Sequence, residues 1–201
     1  MSNSYLDLVK QTFNFPQEGI DVKDGYLHFN GLDLKSLIAK HGTPLKLTYL
    51  PKIGMQIKKA KQMFANAFKR NKYEGKYFYC YCTKSSHFSF VVEEALKHDI
   101  NLETSYAYDI EIIKKLYAKK KVTKDIHIIC NGFKQKGYTR RIAGLLNDGW
   151  QNVIPVLDNK EELKEYATSV KVPFKLGIRV AAEEEPNFPF YTSRLGIRAK
   201  D

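Results

Sequence analysis

Hydrophobic and polar positions follow two different periods along most of the chain after Pro44. Between residues 51 and 68, apolar side chains recur every three or four positions. This spacing predicts an amphipathic helix, and Pro51 suits its first turn. Residues 77–83 form an almost continuous apolar run, as expected of a strand buried on both faces.

The same alternation of strand and helix patterns continues to residue 180. Strands are predicted at 45–50, 77–83, 101–105, 125–132, 152–158 and 174–180, and further helices at 87–97, 108–120, 136–149 and 159–167. Short apolar strands joined by helices are typical of a parallel sheet with covering helices. The pattern therefore predicts an α/β protein.

Periodicity fits both a doubly wound sheet and a (β/α)8 barrel. A dinucleotide-binding sheet would have a glycine-rich turn after an early strand, whereas this chain has TKSSH at 83–87 and HGTP at 41–44. The barrel is therefore favoured. A full barrel takes roughly 250 residues, so we expect an incomplete barrel with fewer than eight strands at 44–201. Residues 1–43, with a strand at 26–29 and a short helix at 32–40, are predicted to be part of a separate β-domain.

The composition indicates a folded protein in a reducing compartment. Three cysteines give no disulfide framework, no apolar run reaches transmembrane length, and residues 1–7 lack the layout of a secretory signal. We therefore expect a cytoplasmic protein without a membrane partner. The net charge is +11, from 33 Lys and Arg against 22 Asp and Glu. Because these lysines lie mainly on amphipathic helices, we expect solvated helix faces and no nucleic-acid partner.

Lys84 ends the strand predicted at 77–83. Strand alternation places Cys80, Cys82 and Lys84 on one face, and barrel enzymes carry their active sites at the carboxyl ends of the strands. A lysine in such a site can act as a nucleophile and form an imine with a carbonyl group. The alternative is a solvated lysine at a strand end. Cys80, Cys82 and His87 lack a second cysteine pair, so no metal site is predicted.

Seven short motifs follow one another along the chain: HGTP (41–44), YFYCYCTKSS (77–86), NLETSYAYDI (101–110), IICNGFKQKGY (128–138), VIPVLDNKEEL (153–163), LGIRV (176–180) and TSRLGI (192–197). Their order resembles that of the pyridoxal-phosphate-dependent decarboxylases of the alanine-racemase-like fold type (fold type III), which act on ornithine, diaminopimelate and arginine. The resemblance runs from Gly25 to Ile197, and the motifs at 128–138 and 153–163 are most similar to biosynthetic arginine decarboxylases.

The resemblance implies pyridoxal 5'-phosphate as the cofactor and assigns roles to individual residues. Lys84 matches the lysine that forms the imine with the cofactor. Cys82 takes a small position in the barrel lumen, and Glu103 and Arg179 match charged positions near the cofactor. Asp109 and Arg194 are candidates for substrate or interface contacts.

The resemblance also implies a function, a carboxy-lyase that acts on arginine or a related basic amino acid in polyamine or lysine biosynthesis and works as a homodimer. The family's ring-stacking histidine, phosphate loop and acid for the ring nitrogen are not in this sequence. We therefore expect an N-terminal portion of such an enzyme that is inactive alone. Two alternatives stay open: a non-catalytic pyridoxal-phosphate homeostasis protein of the same fold type, and a basic nucleic-acid-binding module, whose binding would depend steeply on salt.

Overall fold

The chain divides into two units, Met1–Thr48 and Tyr49–Asp201. Short antiparallel strands build the first unit. A computed structural model describes residues 18–181 and 196–198. In the first unit, β1 (Ile20–Lys23) pairs with β2 (Tyr26–Phe29), β2 pairs with β3 (Leu32–Asp33), and α1 (Leu34–His41) follows. The pairs Asp24-Gly25 and Asn30-Gly31 make the two turns, all four residues with positive φ, as two-residue hairpins require.

The second unit alternates helices and strands. It contains α2 (Pro51–Asn71), β4 (Cys80–Cys82), α3 (Ser89–Leu96), β5 (Asn101–Thr104), α4 (Ala107–Ala118), β6 (Ile128–Cys130), α5 (Lys136–Asn147), β7 (Val153–Leu157), α6 (Glu161–Ser169) and β8 (Gly177–Ile178). In the described part of the chain, no helix combines the length and the apolar character needed to cross a bilayer.

In the part of the second unit that the structure describes, five strands form one parallel sheet in the order β4-β5-β6-β7-β8. Each strand lies beside the one that precedes it in sequence. A doubly wound sheet reverses its strand order at a switch point, and this sheet has no reversal, so it is the wall of a barrel. Beyond β8, a parallel bridge joins Val180 to Ile197. The predicted α/β fold with an incomplete barrel is confirmed.

The strand predicted at 45–50 is wrong, since these residues join neither sheet. Apolar alternation reports which side chains could face a core, but a strand forms only where a neighbour completes its backbone hydrogen bonds. The other predicted strands and helices of the second unit are present. Most strands are shorter than predicted because only their middle residues enter the ladders.

One face of the parallel sheet packs on the helices and forms the core. Leu102 of β5, Ile128 of β6 and Val153 of β7 are fully buried there, and they lie side by side in register. Helix residues close this layer, among them Ile57, Ile110, Ile113, Ile142 and Tyr166. The residues between them along each strand belong to the opposite face, which is half-buried.

Three ionisable groups in this core predict a loss of stability at alkaline pH. Burial raises the pKa of Cys130 to about 11, from an ordinary 9.0, and burial also raises the pKa values of Tyr138 and Tyr166. Each group is protonated in the folded protein and ionises more readily when unfolded. The stabilisation is therefore complete below the unfolded pKa of the thiol and is lost as pH rises through its folded pKa.

We expect the melting temperature, followed by circular dichroism, to fall between pH 9.0 and about 11, with Cys130 contributing about 3 kcal/mol. Cys130→Ala is the control, because it removes the thiol and should make the fall smaller, leaving the part that is due to Tyr138 and Tyr166. A melting temperature that does not change over this interval would contradict the prediction.

Candidate functional site

The carboxyl ends of parallel strands meet at one edge of the sheet, and this edge holds most of the predicted site residues. Cys82 ends β4 and lies in register with Glu103 of β5, which lies in register with Ile129 of β6. Glu103 points away from the helices, because its neighbours Leu102 and Thr104 are fully buried on the helix side. The sheet therefore places Cys82 and Glu103 side by side on the half-buried face.

Lys84 lies two residues beyond β4, in a turn closed by a 3.1 Å hydrogen bond from the Ser85 N–H to the Cys82 carbonyl oxygen. Its side chain is exposed. Within residues 18–181 and 196–198, its ammonium group has no hydrogen-bond or ion-pair partner. A lysine in this position is accessible to a carbonyl compound that approaches the strand ends, as a nucleophilic lysine must be.

Glu103 has two polar neighbours at this edge. Its Oε1 lies 3.8 Å from the Cys82 Sγ and accepts a 3.3 Å hydrogen bond from Asn131 Nδ2. Asn131 directly follows β6, and its own Oδ1 accepts a hydrogen bond from the Gly132 N–H at 2.9 Å. The sequence analysis did not connect Asn131 with Glu103, because the two residues are 28 positions apart. Gly132 has a φ of +77°, a conformation that glycine adopts without strain.

Arg179 follows β8 at the same edge. Its Nη1 lies 3.7 Å from Asp158 Oδ1, and the guanidinium side chain is 39% exposed. Asp158 is buried, and its Oδ1 has no hydrogen-bond partner in the described part of the chain. Arg179 follows β8, whereas Glu103 lies in β5, three strands away in the sheet. At the usual strand spacing, these two strand ends are roughly 14 Å apart. The two residues thus share an edge without touching.

Asp109 has a local structural role in α4. Its Oδ2 accepts hydrogen bonds from the N–H groups of Ser105 and Tyr106, at 2.9 and 3.1 Å, and the residue is buried. These N–H groups precede the helix, so the carboxylate caps its N-terminus. A substrate contact for Asp109 stays a prediction. Arg194, the other candidate of this kind, lies outside the described residues.

A buried ion pair that the sequence analysis did not predict lies beside the carboxyl ends of β6 and β7. Lys134 Nζ is 3.1 Å from Glu162 Oε2, and the two side chains are 0% and 4% exposed. Lys134 follows β6 by four residues, and Glu162 lies in the first turn of α6. Sequence spacing gives no sign of this pair because lysine and glutamate are ordinarily exposed. Their burial results from the tertiary arrangement of the two loops.

Two decarboxylases of known structure have a fold similar to that of this chain. The biosynthetic arginine decarboxylase from Campylobacter jejuni matches 81% of this chain and 29% of its own, with a TM-score of 0.60 and 20% sequence identity. The diaminopimelate decarboxylase from M. jannaschi matches 91% of this chain and 42% of its own, with a TM-score of 0.68 and 19% identity. The chain thus spans less than half the length of either enzyme, and the likeness establishes the barrel-type fold.

Comparisons by sequence give no match: no protein-family model fits the chain, and no curated protein is similar to it at a significant level.

Proposed function

We propose that this chain forms the N-terminal part of the barrel of a pyridoxal-phosphate-dependent amino-acid decarboxylase. The observation that carries the proposal is the exposed Lys84 amine, without a partner in the described part of the chain, at the carboxyl edge of a barrel-type sheet. The fold shared with two decarboxylases supports it. The motifs that resemble arginine decarboxylases favour arginine or a related basic amino acid as the substrate and a homodimer as the working form.

The residues at this edge fit the proposed cofactor. Lys84 offers a primary amine to the aldehyde, and Cys82 leaves room beside it because its side chain is small. Glu103 places a carboxylate on the same face, while the partly exposed guanidinium of Arg179 is only loosely paired and can attract an anionic group. Pyridoxal phosphate, when bound, supplies the electron sink that stabilises the carbanion left by loss of CO2.

The proposed residue roles follow from position and charge. Lys84 is the covalent attachment point. Glu103 is oriented by Asn131 through their 3.3 Å hydrogen bond, so its charge has a defined direction relative to the cofactor. Asp109 caps α4 and so helps to hold the loop that follows β5.

The test combines cofactor binding with a product assay on the full-length protein. We expect a visible absorption band with pyridoxal phosphate, and CO2 release from arginine above that from ornithine, lysine or diaminopimelate. The 201-residue chain alone should release no CO2 and should regain activity with the polypeptide that completes the barrel. Turnover by the isolated chain would contradict the proposed division of the site.

The other outcomes identify the alternatives. Cofactor binding without CO2 release from any of the four amino acids would replace the proposal with a cofactor-homeostasis protein. Retention on a polyanion column that is lost at modest salt, without cofactor binding, would favour the nucleic-acid-binding module.

A further inference from the structure

We propose that the buried Lys134–Glu162 pair is a positioning device for the candidate site. It fixes the loops after β6 and β7, and it thereby holds Asn131 and Asp158, which contact the side chains of Glu103 and Arg179. This inference rests on the proposed function, because it assigns these two charged residues to the cofactor.

The Lys134 ammonium group joins the two loops directly. An ammonium group has three N–H donors, and Lys134 Nζ donates to the Gly132 carbonyl at 2.9 Å, to Glu162 Oε2 at 3.1 Å and to the Val156 carbonyl. Gly132 lies in the loop after β6, whereas Val156 belongs to β7. All three donors are used, so the ammonium group has one arrangement relative to both strand ends.

The Glu162 carboxylate holds the same loops from the other side. It accepts hydrogen bonds from the Lys134 N–H at 3.1 Å, the Asp158 N–H at 3.3 Å and Asn159 Nδ2 at 3.3 Å. The backbone at Lys134 and at Asp158 is therefore tied to one carboxylate. A surface ion pair of this kind would constrain little, but a buried pair tolerates little displacement because separated charges are costly in the interior.

Short paths lead from the pair to both candidate cofactor residues. On one side, Gly132 donates to Asn131 Oδ1 at 2.9 Å, and Asn131 Nδ2 donates to Glu103 at 3.3 Å. On the other side, the Asp158 backbone is held by Glu162, while the Asp158 carboxylate lies 3.7 Å from Arg179 Nη1. Movement of the loop after β6 would shift Asn131, which bonds to Glu103. Movement of the loop after β7 would shift Asp158, which pairs with Arg179.

The test variant is Glu162→Asp, which keeps the charge but withdraws the carboxylate by one methylene, about 1.5 Å. The matched control is Glu165→Asp on the same helix, because the Glu165 carboxylate has no hydrogen bond or ion pair within residues 18–181 and 196–198. We expect Glu162→Asp to weaken pyridoxal-phosphate binding by the full-length protein roughly 10- to 100-fold, by analogy with residues that orient metal ligands. The control should bind as the wild type does.

A second measurement needs no cofactor. The side-chain amide of Asn131, followed by NMR in the cofactor-free protein, should change its chemical shift and exchange faster with solvent in Glu162→Asp but not in Glu165→Asp. A pair that serves stability alone would lower the melting temperature and leave this amide and the cofactor affinity unchanged, and that result would overturn the proposal. If Glu162→Asp fails to fold, Lys134→Arg moves the other end of the pair and keeps its charge, and the same two measurements apply.

The two measurements separate this inference from the proposed function. A wild-type protein that binds no pyridoxal phosphate would refute the proposed function, while the Asn131 amide would still decide whether the Lys134–Glu162 pair positions Glu103. Normal cofactor binding by the wild type, with unchanged affinity and an unchanged amide in Glu162→Asp, would refute only the positioning role.

Discussion

Replacing Lys84 with alanine is expected to abolish covalent attachment of pyridoxal phosphate and to lower decarboxylation by the full-length protein by roughly 10³-fold or more, as when a covalent nucleophile is removed. The reason is chemical: an imine with the aldehyde requires a primary amine, which alanine lacks. Lys84→Arg should fail equally, because a guanidinium keeps the charge but does not form the imine. The arginine variant therefore distinguishes the loss of the nucleophile from the loss of the positive charge.

Borohydride reduction of the protein with bound cofactor, followed by peptide mass mapping, measures the attachment. The label should appear on the peptide that contains Lys84 and disappear in both variants. The matched control is Lys76→Ala, since Lys76 is also exposed and lies near the opposite, amino-terminal end of β4. A stoichiometric label on any other lysine would refute the assignment of Lys84.

Glu162→Ala is expected to lower the free energy of unfolding by about 3–5 kcal/mol, the usual cost of removing one partner of a buried ion pair. The Lys134 side chain, which is 0% exposed, would lose the carboxylate with which it pairs. The Lys134 and Asp158 N–H groups would also lose their common acceptor. Since a domain is stable by only about 5–15 kcal/mol, this single change removes a large part of the total.

Urea unfolding followed by fluorescence measures this loss. Glu161→Ala is the control, because Glu161 is the neighbouring residue in the first turn of α6 but is exposed; its loss should cost no more than about 1 kcal/mol. The double variant Lys134→Met/Glu162→Leu should recover part of the stability, because it removes both charges together. Recovery should be incomplete, since backbone groups at Gly132, Val156 and Asp158 would lack partners. Equal stability of Glu162→Ala and Glu161→Ala would contradict the prediction.

The fold of the second unit was largely predictable because it depends on patterns that are local in sequence. Runs such as 77–83 are apolar on both faces, and helices such as α2 carry one apolar stripe in their sequence, so each element could be recognised separately. The lack of a glycine-rich turn favoured the barrel, and the sequential strand order agrees with it. Whether a neighbouring strand is present is a tertiary property, which is why 45–50 was wrongly predicted. In the first unit only β2 and the helix were predicted, although two glycine turns mark the hairpins.

The candidate site was predictable only as far as strand ends determine it. Lys84, Cys82, Glu103 and Arg179 do lie at one edge, because parallel strands bring their carboxyl ends together. Contacts between loops could not be predicted, since the Lys134–Glu162 pair joins residues 28 positions apart through side chains that are usually solvated. The capping role of Asp109 could have been recognised, because an acid in the first turn of a predicted helix commonly bonds to the N–H groups before it.

The sequential strand order also has a consequence for how the second unit folds. Register partners such as Cys80 and Asn101, Ile128 and Val153, and Val156 and Gly177 are 21, 25 and 21 residues apart. Each pair of neighbouring strands from β4 to β8 thus closes a loop of one strand-helix repeat. Because topologies with mostly short-range contacts fold faster, the wall can assemble repeat by repeat, each strand using the edge left by the one before it. The parallel bridge from Val180 to Ile197 is also local, because its two residues are 17 positions apart.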